Sequence, residues 1–305
     1  MTEQWVETPQ GAIEVRELGR GRPVLFLHGL LVDGTFWDDV VDRLRADDGL
    51  RLIVPTLPLG AHRRAMRPGT DLTPPGLARI VADLVRALGT GPVTVVSADT
   101  GTALAQLLLA AEPELVQAAV LASGDAYDHF LPPIAKPIRW NAYLPGGLSL
   151  LALAMRRPWL ANLPIGFGWL TRRGVTREQG RRWSDPIRTD RAVRRDARAV
   201  LRGIHHRHTN AAAERLRDVD VPVLLAWSDD DRVFPRRLAE RLAATLPDAR
   251  VATVPDAAAF SALDNPDALV ALVRELLVSS GRPGGAAGGP RHGSGPVPPE
   301  RATAP

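Results

Sequence analysis

Short, uninterrupted apolar segments alternate with amphipathic helical patterns along most of this 305-residue chain. Strands that are apolar on both faces are typical of parallel sheets that helices cover on both sides. We therefore predict an α/β fold with a mostly parallel sheet. The predicted strands are 12–18, 23–27, 50–54, 92–96, 116–122, 222–227 and 250–254, and the predicted helices are 36–44, 77–88, 102–111, 238–246 and 266–278.

One long segment interrupts this alternation. Residues 127–217 contain helical patterns rich in Trp, Arg and Pro, and they include no buried strand. Because open α/β sheets bind ligands at the carboxyl edge of their strands, we expect this segment to be a helical cap over that edge. We therefore divide the chain into a first core part, 1–126, the cap, 127–217, a second core part, 218–280, and a disordered Gly/Pro/Ala-rich tail, 281–305.

Composition and hydropathy exclude several classes of protein. Cysteine is absent, so the chain has neither disulfides nor thiolate chemistry. The longest nearly apolar stretch, 143–155, is shorter than a bilayer-spanning helix, and residues 1–11 lack the basic and apolar regions of a secretory signal. We therefore expect a cytoplasmic protein with no membrane partner.

The basic residues do not indicate a nucleic-acid partner. The formal net charge is only +4, and Lys136 is the single lysine among 38 basic residues. The arginines form scattered pairs that are not interleaved with aromatic residues, unlike those of nucleic-acid-binding modules. We therefore expect no nucleic-acid partner, and the sequence leaves the oligomeric state open.

Asp99 lies at the centre of a sharp predicted turn between a strand and a helix. The strand 92–96 and the helix 102–111 are joined by Ser97-Ala98-Asp99-Thr100-Gly101, with small residues two positions before and after the aspartate. Such a turn needs small flanking residues because the two backbones crowd together, and it lifts the central side chain above the sheet. The helix N-terminus that follows favours a negative charge there. The pattern predicts a nucleophile elbow with a carboxylate in place of serine.

Two further turns follow apolar strands. His28-Gly29-Leu30 comes directly after the strand 23–27, and Ser228-Asp229-Asp230-Asp231 follows the strand 222–227. With the Asp99 turn, they resemble the α/β-hydrolase superfamily over nearly all of residues 1–280. Within it they resemble the branch with an aspartate nucleophile, which includes haloalkane dehalogenases and epoxide hydrolases. The segments 99–107 and 125–133 resemble more closely a set of uncharacterised α/β-hydrolase-fold proteins, and that resemblance implies no substrate.

The resemblance implies a role for five positions. Asp99 would be the nucleophile and Asp231 the acid, with Asp125, after the strand 116–122, as the alternative acid. The backbone amides of Leu30 and Thr100 would form the oxyanion hole. In this branch the carboxylate attacks the substrate to give an ester, and a histidine-activated water then hydrolyses that ester.

The histidine of that mechanism is missing. The superfamily places it after the last strand, typically in a Gly-His-Phe pattern that precedes an Asn-Pro pair. Here Ala259 occupies the histidine position, between Ala258 and Phe260, in an otherwise intact frame. Alanine can neither accept a proton nor activate water, so the second step of the mechanism lacks its base.

Two other histidines are candidate surrogate bases. His62 follows the strand 50–54 near the predicted carboxyl edge of the sheet, and His129 lies at the entry to the cap. His205 and His208 share a helix face, but two histidines alone make a weak metal site. We expect no metal and no cofactor.

Markers of both named enzyme types are absent. Haloalkane dehalogenases hold the halide with a tryptophan after the nucleophile and often an asparagine after the His-Gly pair, and these positions are Thr100 and Leu30 here. Epoxide hydrolases protonate the epoxide oxygen with cap tyrosines. Tyr127 and Tyr143 are the only tyrosines in the chain, and only Tyr143 lies well inside the predicted cap.

Three functions are open at this point. The first is a hydrolase that acts on a small apolar molecule with Asp99 as nucleophile, since the apolar residues of the cap favour an apolar pocket. The second is a catalytically inactive, ligand-binding member of the fold, because Ala259 replaces the histidine. The third is an isomerase or lyase in which Asp99 is a general base whose pKa is raised by burial.

Overall fold

An eight-stranded sheet forms the centre of the computed structural model, which describes residues 2–280. Met1 and the predicted disordered tail, 281–305, lie outside the described residues. The strands are β1 (Thr2–Thr8), β2 (Gly11–Gly19), β3 (Arg22–Leu27), β4 (Leu50–Thr56), β5 (Val93–Asp99), β6 (Val116–Gly124), β7 (Val223–Ser228) and β8 (Ala249–Val254).

Most of the sheet is parallel. The strand order is β1-β2-β4-β3-β5-β6-β7-β8, in which β2 pairs in antiparallel fashion with both of its neighbours, β1 and β4. The strands from β4 to β8 in that order pair in parallel. Because parallel strands share one direction, the turns that carry Leu30, Asp99, Asp125 and Asp231 meet at the same edge of the sheet.

Helices connect the strands and cover the sheet. Within residues 2–280, no helix combines the length and the apolar character that are needed to cross a membrane. The helices are α1 (Asp38–Leu44), α2 (Pro74–Ala87), α3 (Thr100–Ala111), α4 (Lys136–Trp140), α5 (Gly147–Met155), α6 (Pro158–Ala161), α7 (Arg177–Thr189), α8 (Arg191–Gly203), α9 (Arg207–Arg215), α10 (Arg237–Thr245), α11 (Ser261–Asp264) and α12 (Pro266–Ser280), with 3₁₀ turns at Gly34–Trp37, Pro113–Leu115, Pro133–Ala135 and Leu216–Asp218 and a π turn at Pro164–Gly168.

The predicted α/β architecture with a mostly parallel sheet is confirmed, and the structure adds one strand to the prediction. Every predicted strand is present, and β3 to β7 are apolar and largely buried, as expected for a sheet with two covered faces. The additional strand is β1, which pairs with β2 at the edge of the sheet. Its residues are mostly polar and exposed, so it carries no hydrophobic pattern that would predict it.

The segment between β6 and β7, residues 125–222, is helical and packs on the sheet. We call it the helical insertion. Trp183 of α7 is fully buried and donates from its indole N–H to the Asp33 carboxylate at 3.1 Å. Phe167 packs against Phe260 of the core with ring centroids 6.1 Å apart, and the Phe260 amide donates to the Leu170 carbonyl at 2.6 Å. These contacts hold the insertion over the carboxyl edge of the sheet.

Candidate active site

Asp99 ends β5 in a backbone conformation that few residues adopt. Its φ is 55° and its ψ is −129°, a conformation that costs a non-glycine residue roughly 1–3 kcal/mol. Two glycines make room for this turn. A Cβ on Gly101 would lie 2.2 Å from the Leu27 carbonyl oxygen, and a Cβ on Gly124 would lie 2.4 Å from the Asp99 carbonyl oxygen. Close packing of the backbone therefore requires the small residues that the sequence places around Asp99.

Two backbone amides face the Asp99 carboxylate. The Leu30 N–H donates to Asp99 Oδ2 at 3.0 Å, and the Thr100 N–H, next in the chain, also lowers the pKa of this carboxyl group. Gly29 permits the approach of Leu30, since a Cβ at Gly29 would lie 2.0 Å from Asp99 Oδ2. The two amides that the sequence analysis assigned to an oxyanion hole therefore face the carboxyl group of Asp99 itself.

The surroundings of Asp99 raise its pKa. Burial is the main cause and raises the pKa. The backbone amides of Thr100 and Leu30 lower the pKa, and the nearby charge of Asp231 raises it further. The net result is a pKa raised to about 6. A carboxyl group with this pKa is mostly ionised at neutral pH, yet it is much more basic than an exposed aspartate. It has the ionisation that a nucleophile or a general base needs under physiological conditions.

Asp231 lies in the turn after β7. Its Oδ1 accepts hydrogen bonds from the amides of Val233 at 2.8 Å and Phe234 at 2.7 Å. Its Oδ2 is buried near the Ser123 hydroxyl and has no well-formed hydrogen bond within residues 2–280. Burial raises the pKa of Asp231 to about 6, although the hydrogen bonds from Phe234 and Val233 lower it. One oxygen of this carboxyl group therefore remains available for a partner.

Asp125 follows β6 and is fully buried. Its Oδ2 accepts a hydrogen bond from the Thr100 hydroxyl at 3.0 Å, and its amide donates to the Asp99 carbonyl at 3.2 Å. Gln106 donates to the Asp125 carbonyl at 2.8 Å. Burial, and secondly the charge of Asp99, raises the pKa of Asp125 well above its usual value. Asp125 is therefore harder to ionise than an exposed aspartate, and its hydrogen-bond partner Thr100 is the residue that follows Asp99.

An apolar cavity of about 280 Å³ lies over Asp99. The core contributes Asp99, Leu30, Thr100, Val233 and Phe234 to its lining, and the helical insertion contributes mainly Leu, Ile, Pro and Ala side chains. Asp99 is the only titratable residue among the lining residues within the described part of the chain. A cavity of this character favours an apolar ligand with its reacting atom close to the Asp99 carboxylate.

Ala259 is fully buried in the loop between β8 and α11. This loop contacts the Asp231 turn, because the Asp230 amide donates to the Ala257 carbonyl at 3.1 Å. The sequence analysis assigned the missing histidine to Ala259. The structure places that residue in a loop that adjoins the turn with the unpaired oxygen of Asp231.

The two candidate surrogate bases do not line the cavity at Asp99. His62 is buried elsewhere, with its Nε2 3.4 Å from the Asp196 carboxylate and its Nδ1 3.4 Å from the Gly60 amide. His129 is half-buried at the start of the helical insertion, where burial, and then the positive charge of Arg237, lowers its pKa. His62 has a hydrogen-bonding role within the fold because both of its ring nitrogens already have partners.

Both ring nitrogens of His28, in the loop before Leu30, also have hydrogen-bond partners. Its Nδ1 is 2.8 Å from the Gly29 carbonyl, and its Nε2 accepts a hydrogen bond from the Leu57 amide at 2.8 Å. Burial lowers the pKa of His28 to about 4. The ring is therefore neutral at physiological pH, and it orders the loop that presents the Leu30 amide.

Neither tyrosine lines the cavity in the part of the chain that the structure describes. The Tyr127 hydroxyl contacts the Arg241 carbonyl at 3.1 Å and the Thr245 hydroxyl at 2.7 Å. Tyr143 is exposed on the helical insertion. No phenol is therefore placed to protonate a substrate oxygen beside Asp99.

Sequence reasoning missed several residues that build the site. Val233 and Phe234 hold Asp231 through their amides and also line the cavity. The Thr100 hydroxyl binds Asp125, a contact in addition to its predicted amide role. Asn141 supplies the one polar side chain that the insertion adds to the lining. Proximity to Asp231 in the sequence was the only available signal, and it applied only to Val233 and Phe234.

Comparisons with known proteins identify the family of the fold. A sequence profile for the alpha/beta hydrolase fold matches residues 22–266. No curated protein sequence gives a significant match. The relatives of known structure therefore provide the remaining comparison.

Solved structures of several hydrolases share the fold. A malate-bound thermophilic esterase from Thermogutta terrifontis is 22% identical, with a TM-score of 0.68, over 92% of this chain and 99% of that one. The haloalkane dehalogenase DbeA from Bradyrhizobium elkani USDA94 is 19% identical, with a TM-score of 0.73, over 92% and 98%. The epoxide hydrolase CorEH is 15% identical, with a TM-score of 0.72, over 91% and 99%. At these identities the likeness shows the fold and not the substrate.

Proposed function

We propose, from the premise that this chain belongs to the α/β-hydrolase fold family, that it hydrolyses a small apolar molecule through an ester formed on Asp99. The observation that carries the proposal is the hydrogen bond of 3.0 Å from the Leu30 amide to Asp99 Oδ2. In an Asp99 ester, Oδ2 is the carbonyl oxygen that becomes negative when water attacks. The Leu30 and Thr100 amides are placed to stabilise that charge.

This arrangement favours a substrate with an electrophilic saturated carbon. The free oxygen of the Asp99 carboxylate would attack that carbon, and the bond to the leaving group would break with its electron pair. Water would then add to the ester carbon, and the alcohol would leave as the carboxylate and a proton are released. A substrate that is itself an ester fits this site less well, because its carbonyl oxygen would need the amides that already face Asp99.

The two steps should differ greatly in rate. The first requires only an ionised Asp99, which a pKa of about 6 provides at neutral pH. The second requires a base for the attacking water, and a positioned base typically contributes roughly 10²–10⁴-fold. Ala259 provides no base, and no histidine lines the cavity among the described residues. We therefore expect the ester on Asp99 to accumulate.

Intact-protein mass spectrometry tests this proposal. The protein would be incubated with primary alkyl bromides and terminal epoxides of about four to eight carbons, lengths chosen for a cavity of this size. The expected result is a mass increase of one alkyl or hydroxyalkyl group, which peptide mapping assigns to Asp99. During a single turnover in H₂¹⁸O, release should place ¹⁸O in Asp99 and leave the product alcohol without the label.

Asp99→Asn is the matched control because it keeps the shape and the two amide contacts while it removes the charge. It should form no adduct and release no product. Retained activity in this variant would contradict the proposal. Absence of both adduct and product with every compound would favour a ligand-binding protein without catalytic activity.

A second candidate function is proton transfer by Asp99 without a covalent intermediate. The specific observation that favours it is the pair of buried carboxyl groups beside Thr100: Asp99, with a pKa raised to about 6, and Asp125, whose pKa is also raised and which accepts a hydrogen bond from the Thr100 hydroxyl at 3.0 Å. An isomerase or lyase that uses Asp99 as general base would exchange a substrate C–H proton with solvent. Deuterium incorporation from D₂O without an Asp99 adduct would identify this reaction.

A further inference from the structure

Exposed apolar side chains are concentrated on one part of the helical insertion. Within residues 2–280, nine of the eleven exposed large apolar side chains lie between 140 and 169, and Trp159 is 71% exposed. Apolar clusters of this extent commonly mark sites that contact a protein or a membrane. We call these nine residues the rim patch: Trp140, Tyr143, Leu144, Leu150, Leu153, Trp159, Leu163, Ile165 and Trp169.

The rim patch adjoins the mouth of the Asp99 cavity. Leu163 and Ile165 are 42% and 44% exposed, and both also line the cavity. Trp140 and Trp159 each come directly before a residue of the cavity lining. On α5 the exposed residues 150 and 153 alternate with the lining residues 151 and 154. The exposed surface and the lining are therefore parts of one apolar surface.

The chain segment that carries the rim patch has charges of a single sign. Residues 129–177 contain seven lysines and arginines and no aspartate or glutamate. Arg156 and Arg172 pair with acidic residues elsewhere in the chain. Lys136 and Arg157 are exposed and lie within four residues of an exposed tryptophan. The apolar surface is therefore accompanied by positive charge, a combination that complements an anionic surface.

We propose that the rim patch docks on the surface of an anionic phospholipid bilayer, with the cavity mouth facing the lipid. Tryptophan and tyrosine favour the boundary between lipid and water, and nearby basic residues are attracted to anionic headgroups. An apolar substrate dissolved in the membrane could then enter the cavity without crossing water. This proposal replaces the expectation of no membrane partner, which rested on the absence of a spanning segment and could not detect a surface that binds without spanning.

Two other candidate binding partners of the rim patch agree less well with the sequence. A second copy of this chain would bring two surfaces of the same positive sign together, which disfavours association. The segment 281–305 has Val297 as its only large apolar residue, so it lacks the side chains that would cover the patch. A negatively charged membrane surface meets both the apolar and the electrostatic requirement.

Co-flotation of the full chain with lipid vesicles tests the proposal. Vesicles of phosphatidylcholine alone would be compared with vesicles that contain about 30 mol% phosphatidylglycerol, at about 0.05 M and about 0.5 M salt. The test variant is Trp140→Glu/Trp159→Glu, because both side chains are exposed and neither lines the cavity. The matched control is Val278→Glu on α12, where the side chain is 65% exposed and far from the patch in sequence.

The expected result is binding to the anionic vesicles that weakens at high salt. The double variant should lose roughly ten-fold or more of this binding, and Val278→Glu should retain it. Failure of the wild-type chain to float with anionic vesicles, or equal flotation of the double variant, would overturn the proposal. A dimer in sedimentation velocity that the double variant abolishes, without vesicle binding, would assign the rim patch to self-association instead.

Discussion

The Asp99 carboxylate is held in surroundings that disfavour its charge. Its positive φ and its burial both raise the free energy of the folded chain, and among residues 2–280 the amides of Leu30 and Thr100 compensate the charge. Strain and desolvation of this kind are typical of functional positions, where packing elsewhere in the fold must offset them. They favour the proposed role of Asp99 over that of an aspartate that only caps a helix.

The pH dependence of Asp99 alkylation is predictable from its surroundings. Because the pKa is raised to about 6, the adduct rate should rise as pH increases toward 6 and level off above it. Asp231→Asn removes a negative neighbour that raises the pKa of Asp99, so the midpoint should move to lower pH. Rates of adduct formation between pH 4.5 and 8 would check both statements. Asp267→Asn, an exposed site on α12, should leave the midpoint unchanged.

Restoring the missing base should restore release of the product. In Ala259→His, the new imidazole would lie in the loop beside the Asp231 turn, where Asp231 Oδ2 lacks a well-formed hydrogen bond. We expect the Asp99 adduct to disappear and turnover to rise by roughly 100-fold or more. Steady-state product release and intact mass would measure the two effects.

The control for this variant is the double substitution Ala259→His/Asp231→Asn. It should lose most of the gain, because the acid that orients the imidazole is gone. Ala258→His places the same ring one residue earlier and should produce no gain. A stable, folded Ala259→His protein in which the adduct persists would show that Ala259 does not occupy the histidine position.

At the scale of elements, the short helix α11 connects the core to the helical insertion. Its last residue, Asp264, accepts hydrogen bonds from the Thr171 hydroxyl at 2.7 Å and from the amides of Arg172 and Arg173 at 3.0 and 3.2 Å. The Ala258 amide donates to the same carboxylate at 3.0 Å. One carboxylate thus fixes both the loop that contains Ala259 and the insertion segment that follows Trp169.

Removal of this carboxylate should destabilise the junction. Asp264→Ala leaves several donors without their partner, so we expect a loss of about 2–4 kcal/mol in the free energy of unfolding. Urea denaturation would measure the loss, and hydrogen exchange at the amides of Arg172 and Arg173 should become faster. Asp48→Ala, at an exposed position in the loop before β4, should change neither quantity. Unchanged exchange in Asp264→Ala would show that other contacts hold the junction.

At the scale of the whole molecule, the insertion and the sheet share one core. Trp183 of the insertion is fully buried and donates to Asp33, which lies in the loop after β3. Phe167 contacts both Trp183 and Phe260, with centroid distances of 5.7 and 6.1 Å. The aromatic contacts therefore run from the insertion into the sheet without a polar boundary.

This shared core predicts a single unfolding transition. Calorimetric and van't Hoff enthalpies should agree, and tryptophan fluorescence should change at the same temperature as the far-ultraviolet circular dichroism. Asp33→Ala removes one of the two hydrogen-bond acceptors of the Trp183 indole and should lower the temperature of the whole transition. Asp39→Ala, at an exposed site on α1, should leave the temperature of the transition unchanged. Two separate transitions, with the insertion unfolding first, would contradict the prediction.

The sequence by itself predicted seven of the eight strands and the sharp turn at Asp99, and it has Ala259 where the family resemblance implies a histidine. These features follow from local chemistry, because buried strands are apolar and a crowded turn needs small residues such as Gly101. Local patterns also limited the prediction. The edge strand Thr2–Thr8 has few apolar residues, and tertiary pairing with β2 alone makes it a strand.

Only the tertiary structure decided what each polar side chain contacts. The Leu30 amide reaches Asp99 across 69 residues, and His62 pairs with Asp196 across 134 residues. Hydrogen-bond partners, burial and therefore pKa values depend on residues that are distant in the chain, and no local pattern contains them. The rim patch also required the tertiary structure. The hydropathy of residues 140–169 resembles that of a buried helical segment, and only the packing shows which of these side chains are exposed.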